Sequence, residues 1–146
     1  MSTKSRIGIV RKDDSVLSVY HHCDGYPEWL GCVLNTYFNS LEKVEDLIAG
    51  GDLKCCWTHY RFCLNERNNN ESHGHEYGPQ YYSQLGENCP PRVDKSMAEF
   101  FAANEEYAYL WTQDNVWVAW DLNCFNDDDP EIVQVPSKMP AELSDI

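Results

Sequence analysis

No apolar run in this 146-residue chain approaches the ~20 residues that cross a bilayer; the longest, such as Val116 to Trp120, are far shorter. The opening decapeptide, MSTKSRIGIV, has no apolar h-region, so no secretory signal is expected and the expected location is the cytoplasm. There are seven cysteines but no C-x-x-C pair, the spacing that zinc sites usually show. An odd cysteine count without a signal peptide fits reduced thiols, several of them buried as small apolar groups. There is no G-x-S-x-G elbow, no P-loop and no G-x-G-x-x-G. Enzymatic activity is therefore not the leading expectation, and no cofactor is expected. Basic side chains are scarce at one end: residues 101–146 hold Lys138 alone against ten acidic groups, and so carry most of the net charge of -13. Such a surface repels nucleic acid and anionic membranes and attracts a basic partner. It reads either as a solubilising tail or as a polyanion that occupies a groove on another protein.

What is present suits a single folded domain. Apolar residues make up 42% of the chain, and a domain of this length buries about 70% of its unfolded surface. Arg6–Val10 and Ser15–His22 are β-rich runs separated by the polar RKDD, which predicts a hairpin. Both faces of the second run are partly apolar, so it is not expected at a bare edge. Pro27 suits the first turn of a helix, and Trp29, Leu30, Val33, Leu34, Tyr37 and Phe38 form one helical stripe. A second helix is predicted from Leu41 to Ala49, with Leu41, Val44, Leu47 and Ile48 inward and Gly50–Gly51 as its stop. Ser96 and Glu99 have capping-box spacing for a third helix, Met97–Asn104. EYAYLWTQ, DN and VWVAWDL predict a second hairpin, and Ile132–Val135 a short strand. Trp111, Trp117 and Trp120 cannot all be buried on one face of that hairpin if its strands alternate. The expectation is an α+β domain over residues 1–125, an antiparallel sheet of two hairpins packed on one face against about three helices. An irregular polar insertion is expected near 64–95, and a loose acidic tail over 126–146.

Chemistry-bearing residues concentrate in VYHHCDGYPEW, Val19 to Trp29. One reading is purely structural: Asp24 and Gly25 turn the chain, Tyr26 and Pro27 start the helix, and Trp29 packs. The other is a binding site at a strand end, formed by His22, Asp24, Tyr26, Glu28 and Trp29 and closed by Tyr81 and Tyr82. Within it, the Asp24 carboxylate could orient the His22 imidazole. His22 cannot easily activate Cys23, because adjacent strand residues face opposite ways; His21 could share the face of Cys23. Cys55, Cys56, His59 and Cys63 lie within nine residues, with His73 and His75 downstream. Without a tight cysteine pair they are read as core or incidental side chains, and no metal is expected.

SVYHHCDGYPEWLG (Ser18–Gly31), GPQYYSQLGE (Gly78–Glu87) and EEYAYLW (Glu105–Trp111) resemble small uncharacterised proteins of tailed phages, particularly T4-like phages of cyanobacteria. The likeness covers most of residues 5–125, and H-x-D-G-Y-P-E (His22–Glu28) is its specific part. That group has no established activity, so the resemblance implies a setting more than a mechanism. Its members tend to carry an aromatic where Cys23 stands, which weakens any catalytic or metal role for that thiol. In a phage setting, the expected function is non-enzymatic: an accessory protein that binds and modulates or inhibits a host protein, for instance a defence or nucleic-acid-handling factor. The expected contact surface is Glu105, Glu106, Asp114, Asp121, Asp127, Asp128 and Asp129. The alternatives are a small-ligand binder with its pocket at the His22–Trp29 stretch, and a virion component. The oligomeric state is left open.

Overall fold

The structure is a computed structural model, and it describes residues 3–56, 79–102, 105–122 and 129–136. The first predicted hairpin is formed by β1 (Ser5–Val10) and β2 (Val16–His21), paired from Ser5↔His21 to Val10↔Val16. Asp14 takes the left-handed conformation in its turn, φ 69°, which aspartate tolerates. The second hairpin is β6 (Tyr107–Trp111) with β7 (Trp117–Asp121), and Asn115 plays the same part at φ 61°.

The sheet is mixed, which corrects the purely antiparallel expectation. β1 pairs in parallel with β6, Ile7 opposite Tyr109, and β2 pairs in parallel with β3 (Leu53–Cys55) at His21↔Leu53. Eight strands form the sheet, in the order β4 (Gln80–Tyr81), β3, β2, β1, β6, β7 and β8 (Glu131–Val133), with β5 (Arg92–Asp94) also pairing with β2 alongside Val16–Ser18. β1 is buried on both faces, so both of its edges need partners; one is the hairpin strand, and the other comes after a long excursion that permits parallel pairing. β2 is interior, as its two-sided apolarity implies. β4 (Gln80–Tyr81), a short 3₁₀ turn (Tyr82–Leu85) and β5 lie within the span expected to hold the irregular polar insertion. β8 (Glu131–Val133) continues the sheet inside the segment read as a loose tail, at the expected Ile132–Val135 strand.

Helical cover lies on both faces, a second correction. On one face α1 (Cys32–Tyr37) and α2 (Leu41–Ala49) close over Ile7, Ile9, Val19, Tyr109, Trp111, Trp117 and Ala119. On the other, α3 (Met97–Phe101) buries Phe100 against Val16, Ala108 and Leu110. Trp111 and Trp117 are cross-strand partners on the first face, with ring centroids 5.5 Å apart at 72°. Trp120 lies on the second face against Phe101, at 5.0 Å, as strand alternation requires.

Caps set the helix starts. Ser40 Oγ accepts the Lys43 N–H (3.3 Å), and Ser96 Oγ accepts the Glu99 N–H (3.3 Å). The Glu99 carboxylate accepts from Lys95 N (2.9 Å). Ahead of α1, Pro27–Gly31 forms a π turn rather than the first α-helical turn expected there. Val44, Leu47 and Ile48 are buried as expected, but Leu41 is 47% exposed. No helix among the described residues is long and apolar enough to cross a membrane.

Candidate functional site

β2 carries two consecutive histidines into different surroundings. His21, fully buried, accepts the Cys56 backbone N–H at Nε2 (2.7 Å) and faces Ser5 Oγ through Nδ1 (3.2 Å). It ties β2 to β3 and β1. His22 is half-buried on the other face, its Nδ1 2.7 Å from the Tyr20 hydroxyl. Sequence reasoning missed Tyr20, although i, i+2 spacing on one strand face would have found it. Burial, with Tyr82 and Glu105 adding to it, pushes the Tyr20 hydroxyl up to about 12.

The rest of the H-x-D-G-Y-P-E stretch is largely a chain reversal. Asp24 is left-handed at φ 55°. Gly25 N donates to Thr3 O (2.8 Å), and Gly25 O accepts the buried Tyr109 hydroxyl (2.7 Å). A Cβ at Gly25 would stand 2.8 Å from Thr3 O and 2.7 Å from Ser5 Cβ, so only glycine fits. Tyr26 O then accepts from Trp29 N (3.1 Å) and Leu30 N (2.9 Å), which starts the π turn. Gly25→Ala is expected to cost about 1–3 kcal/mol through this overpacking, read by urea unfolding. A cost under about 0.5 kcal/mol would show that the β1 end yields freely.

Of the seven proposed binding residues, three have packing duties. Trp29 is in the core, 6% exposed. Tyr81 donates its hydroxyl to Leu47 O (2.7 Å) and lies against Gly50, holding the end of α2. Tyr26 packs half-buried on the same core. His22, Asp24, Glu28 and Tyr82 remain at least partly accessible.

Tyr82 stands near Cys23 and Cys55, which are also close to each other. Burial raises Cys55 to about 11, with Cys23 adding to the effect, so Cys55 is overwhelmingly a thiol at neutral pH and a poor nucleophile. Cys56 is fully buried, and burial raises its thiol further. Among the described residues no group of three or more His, Cys, Asp or Glu side chains could hold a metal ion. His59, Cys63, His73 and His75 lie outside the described residues.

The proposed partner surface divides. Glu105 is not at the surface: it is 8% exposed, with Oε1 3.4 Å from Arg6 Nη1. Asp114 lies in the β6–β7 turn, at the far end of the hairpin. Asp127 and Asp128 lie outside the described residues. Glu106 and Asp121 come together at the near end, where the sheet aligns Tyr107, Asp121 and Glu131 across β6, β7 and β8. Glu28 joins them from the π turn, an association sequence distance concealed: Tyr107 is half-buried, and its hydroxyl is pushed up by burial and then by Asp121, Glu28 and Glu106. Exposed Asp129 precedes Glu131 by two residues. Asp121 and Glu131 are direct cross-strand neighbours.

No protein-family model, curated protein or solved structure matches this chain.

Proposed function

We propose that this chain is a non-enzymatic phage accessory protein, acting in the host cytoplasm, that binds a host protein through an acidic row and modulates or inhibits it. The row is Glu28, Glu106, Asp121 and Glu131, flanked by Asp129, with Tyr107 among them. The observation that supports this reading is the Asp121–Glu131 register pair. The register gathers carboxylates on one stretch of the sheet, and charge so concentrated favours a basic partner and speeds its approach. Tyr107 adds an aromatic with an apolar body and a polar tip, the residue type enriched at interface hot spots. The partner's matching surface is rich in lysine and arginine.

The test is retention of host proteins from natural-host lysate by the tagged chain. Raising salt from ~0.1 M to ~1 M shortens the Debye length from about 10 Å to about 3 Å, so a specific host protein should be held at low salt and released at high salt. Asp121→Lys/Glu131→Lys should lose it, and Asp114→Lys, at the other end of the hairpin, should keep it. Retention indifferent to salt and to charge reversal, or recovery of the chain in purified virions without any host protein, would overturn the reading.

A further inference from the structure

A cavity of about 850 Å³ opens at the turn end of the sheet, remote from His22 along β2. Its floor is Ile9, Leu17 and Trp111, neighbours on adjacent strands. One wall is the Leu41, Glu45 and Ala49 stripe of α2, at i, i+4 and i+8. This stripe stands off the sheet instead of packing on it, which is why Leu41 is exposed and Leu17 only half-buried. The volume falls within the range of about 300–1,000 Å³ usual for small-molecule sites.

Two further features bear on what such a cavity would hold. Trp111 is 3% exposed, yet its Nε1–H has no hydrogen-bond partner among the described residues. Buried donors are rarely left unpaired, and the neighbouring Trp117 Nε1–H reaches Phe38 O (2.8 Å). At the rim stand Arg11 and Lys12, consecutive and exposed, and neither forms an ion pair within 4.0 Å among the described residues. Their turn is pinned from both sides: Gln113 Nε2 donates to Arg11 O (2.7 Å), and Ser15 N donates to the Asp13 carboxylate (3.1 Å). Asp13 also lines the cavity, but those bonds turn its carboxylate into its own turn. Glu45, on the α2 wall, is the other acid there.

We infer that this cavity binds an amphipathic monoanion, with an aryl or alkyl body on Ile9, Leu17, Leu41 and Trp111 and a carboxylate, sulfonate or phosphodiester head at Arg11 and Lys12. In a chain of net charge -13, two adjacent exposed cations beside an apolar cleft, with no ion pair within 4.0 Å among the described residues, are the feature that selects the sign of the head. The site is separate from the acidic row, and neither depends on the other.

Anilinonaphthalene sulfonate, an aryl monoanion, is the probe, and phenylnaphthylamine is its neutral counterpart. The folded protein should bind one sulfonate dye per chain and show energy transfer from tryptophan. Arg11→Gln/Lys12→Gln should weaken the sulfonate about ten-fold and leave the neutral dye unchanged. Ala49→Phe, at an exposed position of α2, should fill the cleft and abolish binding of both dyes, with near-UV circular dichroism unchanged. Leu41→Glu, also exposed and in the first turn of α2, should selectively repel the sulfonate if Ala49→Phe fails to fold. Undiminished binding in these cavity variants would place the dyes elsewhere and overturn the site. Equal loss of both dyes in the double glutamine variant would overturn the preference for an anion. No saturable binding up to ~1 mM dye would overturn the inference altogether.

Discussion

Arg6→Met is expected to destabilise the fold by about 3–5 kcal/mol, the usual cost of stripping one partner from a buried ion pair. Arg6 lies on β1 with its side chain 8% exposed, Nε donating to Ser18 Oγ (2.8 Å) and Nη1 3.4 Å from Glu105 Oε1. Burial, and then Arg92, lower its pKa, while Glu105 and Asp52 oppose them; a guanidinium nonetheless stays charged throughout the working range. The methionine fills most of the volume but leaves the Glu105 carboxylate buried with no counter-charge. Its Oε2 already lacks a hydrogen-bond partner among the described residues. The pair itself is worth much less than the single substitution costs, because each charge has given up its hydration. Arg6→Met/Glu105→Leu should therefore recover most of the lost stability. Urea unfolding of the two single variants and the double gives the cycle, with comparable m-values as the check that the native state is intact. Additive losses, or a single-variant cost below about 1 kcal/mol, would show that the pair is effectively solvated.

Local pattern and long-range pairing were not equally legible. The hairpins and α2 follow from period-2 and period-3.6 apolar spacing and from turn residues, all of which act within a few positions. The parallel pairings of β1 with β6 and β2 with β3 have no such signal, because they depend on where a long excursion returns. β5 is three residues behind two prolines, and half of its reason to be a strand is the free edge of β2. Among the site residues, the helical stripe that contains Trp29 already placed it in the core, whereas its position beside histidine and aspartate suggested a site. Glu105 carried no local mark of burial; its place follows from the β6 strand start meeting Arg6, 99 positions away. Sequence proximity groups Glu28 with the ligand candidates, whereas the fold sets it near Tyr107. The cleft at the turn end is assembled from the β1–β2 turn, α2 and the β6–β7 turn, so no single stretch of sequence announces it.

Acidification should unfold the wild-type chain sooner than a His21→Gln variant's loss at neutral pH would suggest. Because Nε2 accepts the Cys56 N–H, the neutral imidazole carries its proton on Nδ1, toward Ser5. A proton on Nε2 would set two donors against each other in a site without water access. Burial, assisted by His22, accordingly lowers the His21 pKa from 6.5 to about 3. The unfolded chain takes up this proton below its ordinary value, and the folded chain does not until near pH 3. Between those limits the unfolded state holds one more proton, so stability rises with pH. The contribution is fully present above the unfolded pKa and is lost as pH falls through the window, at about 1.4 kcal/mol per pH unit. Glutamine can still accept the Cys56 N–H but does not titrate. It should cost stability at pH 7, where His21 is neutral in both states, and then part of that deficit should close on acidification. Over a drop of two pH units below 6.5, the gap between wild type and variant should narrow by about 2–3 kcal/mol. The carboxylates of this acidic chain contribute alike to both proteins and cancel in the difference. Parallel stability curves for the two, by urea unfolding at each pH, would mean that His21 takes up its proton in the folded state. β2 would then have to part from Cys56 without the chain unfolding, and the His21 bridge would not be what holds β3 against β2.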